Sequence, residues 1–127
     1  MDCPDDLRYT PDHEWLRQEG NEATVGITEF ACEQLGDVVF VELPNIGSTL
    51  AKGAAFGVIE SVKAVYDLFA PASGQVVARN ESLLDAPEAV NHAPYSDGWM
   101  IRIRLSNPAE LDGLMDASAY RVALAGE

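Results

Sequence analysis

Apolar and basic residues alternate at the end of Trp99-Met100-Ile101-Arg102-Ile103-Arg104-Leu105, the period-two pattern of a half-buried strand. Short runs rich in β-branched and aromatic residues also occur at Ala55-Phe56-Gly57-Val58-Ile59 and Val65-Tyr66-Asp67-Leu68-Phe69, the second followed by Pro71 and Gly74. Near the start, Tyr9 to Leu16 and Ala23 to Ile27 flank a polar stretch containing Gly20-Asn21, which predicts an opening hairpin. Thr28, Glu29 and Gly36 supply the cap, the acidic first turn and the terminator of a short helix near 28–35. Residues 81–91, with Pro87 and scattered Leu83, Leu84 and Val90, read as a loop with a helical turn. Asn107 as cap and Pro108 at the first helical position open a helix over Ala109 to Met115. Leu111, Leu114, Met115, Tyr120 and Leu124 keep helical spacing through a second helix from Ala117 to Ala123.

Between Asp37 and Asn80 one pattern occurs twice. Val38 to Leu43, Pro44-Asn45-Ile46-Gly47 and Lys52-Gly53 recur 27 residues later as Val65 to Ala70, Pro71-Ala72-Ser73-Gly74 and Arg79-Asn80. Each copy places a strand before a Pro-x-x-Gly turn, and a basic residue before Gly or Asn, which tolerate positive φ. The predicted fold is therefore mainly β with minor α: two similar units related by approximate two-fold symmetry, closed around one core as a small sandwich or flattened barrel. The whole chain, 1–127, reads as one domain, with a β core over about 7–106 and a helical cap over about 107–124 on its open side.

Composition adds a soluble globular background, with 47% apolar and 23% charged residues. The net charge of −13 argues against nucleic acid and anionic membranes, both of which attract basic surfaces. No apolar run approaches the roughly 20 residues of a membrane span. The acidic start Met1-Asp2-Cys3-Pro4-Asp5-Asp6 resembles no signal or transit peptide. A cytoplasmic setting is expected, or a mitochondrial matrix if a leader has been removed. Cys3 and Cys32 have no metal-ligand spacing, and a disulfide between them is not expected.

The most informative chemistry is Lys63, in Glu60-Ser61-Val62-Lys63-Ala64, at the junction of the two copies and so at the tip of a hairpin. A tip lysine is ordinarily a solubilising charge. A tight hairpin usually places Asn-Gly or Asp-Gly at its turn, however, whereas this one has no glycine and sets Val62 toward solvent. With no cationic cluster or apolar pocket evident around it, Lys63 suits acylation better than Schiff-base chemistry. An acylated lysine is an uncharged, extended arm. Asp67 replaces Phe40 of the first copy, as a solvated charge or as a functional one. Asp12-His13-Glu14 contains a single histidine and makes no metal site. His92 lies in a Pro-flanked loop, and the aromatics of Pro94-Tyr95-Ser96-Asp97-Gly98-Trp99 belong to the core or its rim, or to partner recognition. No nucleophilic triad, phosphate loop or paired-carboxylate motif stands out.

Across nearly its whole length the sequence resembles the H-protein family of the glycine cleavage system. The likeness is carried by Tyr9-Thr10, His13-Glu14-Trp15, Val25-Gly26-Ile27-Thr28, Leu35 to Pro44, Glu60 to Ala64, Pro71 with Gly74, and Pro94-Tyr95 with Gly98-Trp99. The resemblance implies a lipoyl-type β sandwich and a carrier that is not itself an enzyme, with lipoic acid in amide linkage on Lys63. It implies attachment by a lipoate ligase, or by octanoyl transfer and sulfur insertion, with Glu60, Ser61, Val62 and Ala64 as the recognition address. The implied partners are a pyridoxal-phosphate-dependent glycine decarboxylase (P-protein), an aminomethyltransferase (T-protein) and dihydrolipoamide dehydrogenase (L-protein). The arm takes up an aminomethyl group from the first, delivers it to the second and is reoxidised by the third. Glu14 and Asp67 match positions lining the cleft that receives the loaded arm. Cys32 stands where the family commonly has a polar amide, and Asp12 and Tyr66 where small hydroxyl residues are frequent. The protein is expected to be a monomer.

Three alternatives stay open. A biotinyl carrier shares the fold class but resembles Ala-Met-Lys-Met at the tip, which is absent here. A lipoyl-relay paralogue would donate lipoate to 2-oxoacid dehydrogenases with the same tip. An unmodified β binding module would be indifferent to Lys63→Arg.

Overall fold

A computed structural model describes residues 3–126. In chain order the elements are β1 (Arg8–Tyr9), β2 (Glu14–Glu19), β3 (Glu22–Ile27), α1 (Glu29–Leu35), β4 (Val38–Glu42), β5 (Thr49–Leu50), β6 (Ala55–Ser61), β7 (Val65–Phe69) and β8 (Gly74–Arg79). These are followed by α2 (Ser82–Asp85), α3 (Ala89–His92), β9 (Ile101–Leu105), a 3-10 helix (Pro108–Gly113) and α4 (Ala117–Ala125). Two sheets result, one of six strands in the order β1-β2-β3-β9-β8-β5 and one of three in the order β4-β6-β7. The fold is the expected β sandwich, with two separate sheets instead of a closed barrel. No helix among the described residues is long and apolar enough to cross a membrane.

Local signals produced the first elements as expected. Gly20, at φ 63, turns β2 into β3, and the Thr28 side chain caps α1 by accepting from Ala31 N. Gly26 faces Trp15 across the β2–β3 ladder, where a Cβ would stand 2.6 Å from the indole. The missing side chain is what lets the fully buried Trp15 lie flat on the sheet.

The two copies of the repeat diverge. β4 and β7 do lie symmetrically, both antiparallel to β6 and on opposite sides of it. The turns do not match: Gly47 has φ 96 and Gly53 φ 85, whereas Gly74 and Asn80 are not in the positive-φ region. Gly74 instead begins β8, where a Cβ would meet Arg104 O at 2.3 Å. Asn80 is buried and donates through Nδ2 to Asp97 O and Trp99 O, both at 2.8 Å. The second strands differ too, β5 having two residues and β8 six. Phe40, which the comparison with Asp67 treats as an apolar reference, is itself 46% exposed.

The C-terminal expectations also need correction. Residues 108–113 form a 3-10 helix, and the Asn107 side chain makes no capping bond. Instead of jointly covering the open side of the main core, the two C-terminal elements divide. Leu111 and Leu114 join the main core between the sheets. Ala117 and Tyr120 of α4 build a second cluster with Cys3, Leu7, Tyr9 and Trp15, where the Tyr9 and Tyr120 rings stack at 4.4 Å. The two cysteines, both buried, are not joined to each other.

Gly57, central in β6, faces Glu42 of β4 so closely that a Cβ would lie 2.3 Å from Glu42 O. That neighbour is backbone and cannot rotate away, so Gly57→Ala should lower stability by about 3 kcal/mol, at the upper end for overpacking. The shift of the urea midpoint against wild type measures it.

Candidate functional site

The hairpin expected at 60–64 forms between β6 and β7, with Lys63 exposed at its tip. Its lack of glycine has a physical explanation. Ser61 N donates to Ala64 O at 2.9 Å, while the Ser61 hydroxyl accepts from Lys63 N at 3.1 Å and Ala64 N at 3.2 Å. A serine side chain therefore does what a left-handed glycine does elsewhere. Val62 N donates to Asp37 O at 3.0 Å, anchoring the tip to the start of β4. Val62 itself is 67% exposed, and Glu60 lies in register between Phe40 and Val65.

Behind the tip lies a cleft of about 390 Å³. Asp12 and Glu14 line one bank, Phe30 and Leu35 of α1 another, and Ile59 and Asp67 of the small sheet a third. The structure thus brings Glu14 and Asp67 to one cleft. Lys63 does not line it but lies beside Gly36, the residue after the cleft-lining Leu35: a Cβ added at Gly36 would lie 3.4 Å from Lys63 Cε. Gly36, at φ 77, ends α1 and leaves a seat for the lysine stem beside Leu35.

Glu14 is buried, at 3% exposure. β7 is an edge strand, and its Phe69 N donates to Glu14 Oε2 at 3.1 Å, while Thr10 Oγ1 donates to Oε1 at 3.0 Å. Desolvation outweighs both bonds and pushes the carboxyl up to about 7, with Asp12 adding to the rise. Asp67, by contrast, is exposed. Glu14 and Asp67, one buried and one exposed, therefore share one mainly apolar space with Asp12.

Two of the three departures from the family pattern fall at this cleft. Asp12 and Tyr66 line it. Cys32 turns away from it, donating from Sγ to Val90 O at 3.2 Å, and burial pushes its thiol up to about 12. Among the described residues there is no group of three or more His, Cys, Asp or Glu that could hold a metal ion. His13 forms the turn before β2, at φ 66, with Nδ1 2.9 Å from Tyr120 Oη.

Several residues of the site were not singled out from sequence. Thr10 accepts from Asp12 N and Glu14 N, each at 3.2 Å, and so builds the turn that aims Glu14 inward. Its spacing ahead of Asp12 and Glu14 is a readable hydroxyl-turn signal. Asn91 accepts from Val38 N and donates to Gly36 O, both at 2.8 Å, fixing the end of α1 beside the lysine. Nothing local marks it.

Glu14 makes stability pH-dependent in a defined direction. Below pH 4.5 its carboxyl is protonated in both folded and unfolded chains. Between 4.5 and about 7 only the folded chain keeps the proton, so stability falls as pH rises through that window and levels off above it. The loss attributable to this group is about 3 kcal/mol. In urea titrations from pH 4 to 8, Glu14→Gln should lose that part of the slope. A slope equal to wild type would refute the assignment.

Comparison with known proteins agrees with this geometry. The family profile described as Glycine cleavage H-protein matches residues 7–126. The glycine cleavage system H protein of Anaeromyxobacter sp. (strain K) is 57% identical over 121 residues, covering 95% of this chain and 94% of the relative. That of Magnetococcus marinus is 58% identical over 120 residues, covering 94% and 86%. The crystal structure of a glycine cleavage system H protein from Mycobacterium marinum superposes with a TM-score of 0.90 at 40% identity, over 97% of this chain and 99% of the other. With the same sandwich and a likeness that spans both the lysine tip and the cleft, the chain belongs to the glycine cleavage H-protein family.

Proposed function

We propose that Lys63 carries lipoic acid in amide linkage and that the loaded arm folds back into the cleft between Glu14 and Asp67. As a family member the chain is a non-catalytic carrier of glycine cleavage. The observation that carries the proposal is the placing of Lys63: exposed on a turn held by Ser61, with its stem seated on Gly36, next to the cleft-lining Leu35. The cleft fits such a group, because Phe30, Leu35 and Ile59 offer an apolar bed and Asp12, Glu14 and Asp67 line it with carboxyl groups. When attached, the lipoyl group supplies a dithiolane that takes up the aminomethyl group of glycine and is reoxidised after delivering it.

The chain's own residues supply position and charge. Ser61 fixes the tip so that a modifying lipoate ligase, or an octanoyl or lipoyl transferase, meets one geometry, with Glu60, Val62 and Ala64 flanking the amine. Glu14 and Asp67 favour a protonated amine in the cleft. A cation there pulls the Glu14 carboxyl down from its raised value, so binding the charged arm and ionising Glu14 reinforce each other. Glycine decarboxylase, aminomethyltransferase and dihydrolipoamide dehydrogenase are the partners in this reading, in a cytoplasmic setting. The strongly acidic surface suits a monomer steered toward basic docking faces.

Intact mass tests the attachment. Protein purified from lipoate-supplied cells should carry one lipoyl increment in wild type and none in Lys63→Arg. An unmodified wild type overturns the proposal, and a biotinyl increment assigns the other cofactor. Retention tests the cleft: loss of the aminomethyl group should be about tenfold faster in Glu14→Gln or Asp67→Asn, the scale of one hydrogen bond to a charged group. Rates equal to wild type would remove the two carboxylates from this role.

A further inference from the structure

Two of the three banks of the cleft are tied together from outside it, by a helix that does not line it. Tyr120 of α4 is buried, and its hydroxyl lies 2.7 Å from Thr28 Oγ1 and 2.9 Å from His13 Nδ1. Thr28, fully buried, caps α1 and so sets the bank bearing Phe30, Ala31 and Leu35. His13 holds the opposite bank, in the turn from Thr10 to Glu14. Its carbonyl accepts from Thr28 N at 3.0 Å, and its ring packs on Phe30 at 4.6 Å.

The His13 turn needs such support. At φ 66 His13 is the one non-glycine residue with positive φ among the described residues, a conformation that costs about 1–3 kcal/mol and persists where its surroundings fix it. This turn delivers Glu14 to Phe69 N with its carboxyl buried. The phenol ring, stacked on Tyr9 at 4.4 Å, is held independently of its hydroxyl. Packing and hydrogen bonding at this residue are therefore separable.

We propose that Tyr120 is a positioning residue for the arm cleft: its hydroxyl, shared between His13 and Thr28, sets the Glu14 turn against helix α1. Any consequence for the arm rests on the cleft role proposed above, but the positioning itself is readable without the arm.

The test uses unlipoylated full-length protein. Tyr120→Phe keeps the stacked ring and removes only the hydroxyl. The Glu14 titration midpoint, followed by carboxyl carbon NMR, should fall by about one unit, the usual spread of carboxylates among folded sites, as the loosened turn admits water. The groups facing Glu14 in that titration are Asp12, His13 and Asp67, and each is followed alongside it. The Phe69 amide resonance should move with Glu14. Val122→Ala, on the exposed face of the same helix, should move neither.

His13→Asn tolerates the left-handed backbone and lacks the imidazole nitrogen. It should shift Glu14 in the same direction, and the double variant should shift it no further than the larger single change, because both act through one tie. If Tyr120→Phe fails to fold, His13→Asn and its amide shifts carry the test. A folded variant, Tyr120→Phe or His13→Asn, with Glu14 and Phe69 unmoved would overturn the proposal. In lipoylated, loaded protein, Tyr120→Phe should release the aminomethyl group about fivefold faster, the scale of one neutral hydrogen bond. Shifted Glu14 with unchanged release would uphold the positioning and count against the cleft role alone.

Discussion

The bond from Phe69 N to Glu14 joins two sheets that share no ladder at this edge. Among the described residues β7 pairs only with β6, so its outer side presents backbone donors, and Glu14 of β2 meets the one at Phe69. A hydrocarbon at position 14 would leave the part-buried Phe69 amide without this acceptor. The carboxyl meets that need and bears the cost of desolvation as a pKa near neutrality. A structural hydrogen bond thus places an ionisable group in a mainly apolar cleft. The same seam holds the small sheet, and with it the Lys63 hairpin, in register with the bank that carries Glu14.

What the sequence disclosed depended on the range of the interaction. Thr28 capping α1, Gly20 turning β2 into β3 and the strand alternation before Leu105 act within a few residues, and each was legible. The duplicated pattern matched the segments that become β4 and β7, which the structure sets on either side of β6, yet it misassigned Gly74 and Asn80. There the same residue types serve close strand approach and side-chain bridging instead of turns. Tyr120 reaches Thr28 across 92 positions and Asn91 reaches Gly36 across 55. Such ties leave no periodicity to read. The importance of Glu14 came through family resemblance, since an acidic residue opening a strand looks like an exposed one.

The tip shows how a rule broken locally is mended locally. Turn chemistry asks for glycine between β6 and β7, and its absence suggested an outside reader. Ser61 supplies the missing satisfaction, accepting two amides that would otherwise face inward without partners. The glycine-free turn therefore has a structural reason of its own, and function is not needed to account for it. What function adds is the demand for rigidity. A glycine turn would carry more backbone freedom in the unfolded chain and more ways to yield in the folded one. A serine-braced turn presents its lysine from a fixed base, with the stem beside Gly36 and freedom left to the exposed end of the side chain.

That freedom sits in an environment with opposing tendencies. Val39, Phe40, Val62, Val65 and Tyr66 are all about half exposed or more around the tip, and apolar surface of this kind ordinarily promotes association. β7 adds an open strand edge nearby. Against this, Glu42, Glu60 and Asp67 stud the same sheet and the chain carries a net charge of −13. Two copies approaching tip to tip meet repulsion before their apolar residues touch, whereas a basic partner meets attraction and then apolar contact. The charge therefore discriminates between self-association and docking, and lets the lysine keep an apolar surround without making it a liability.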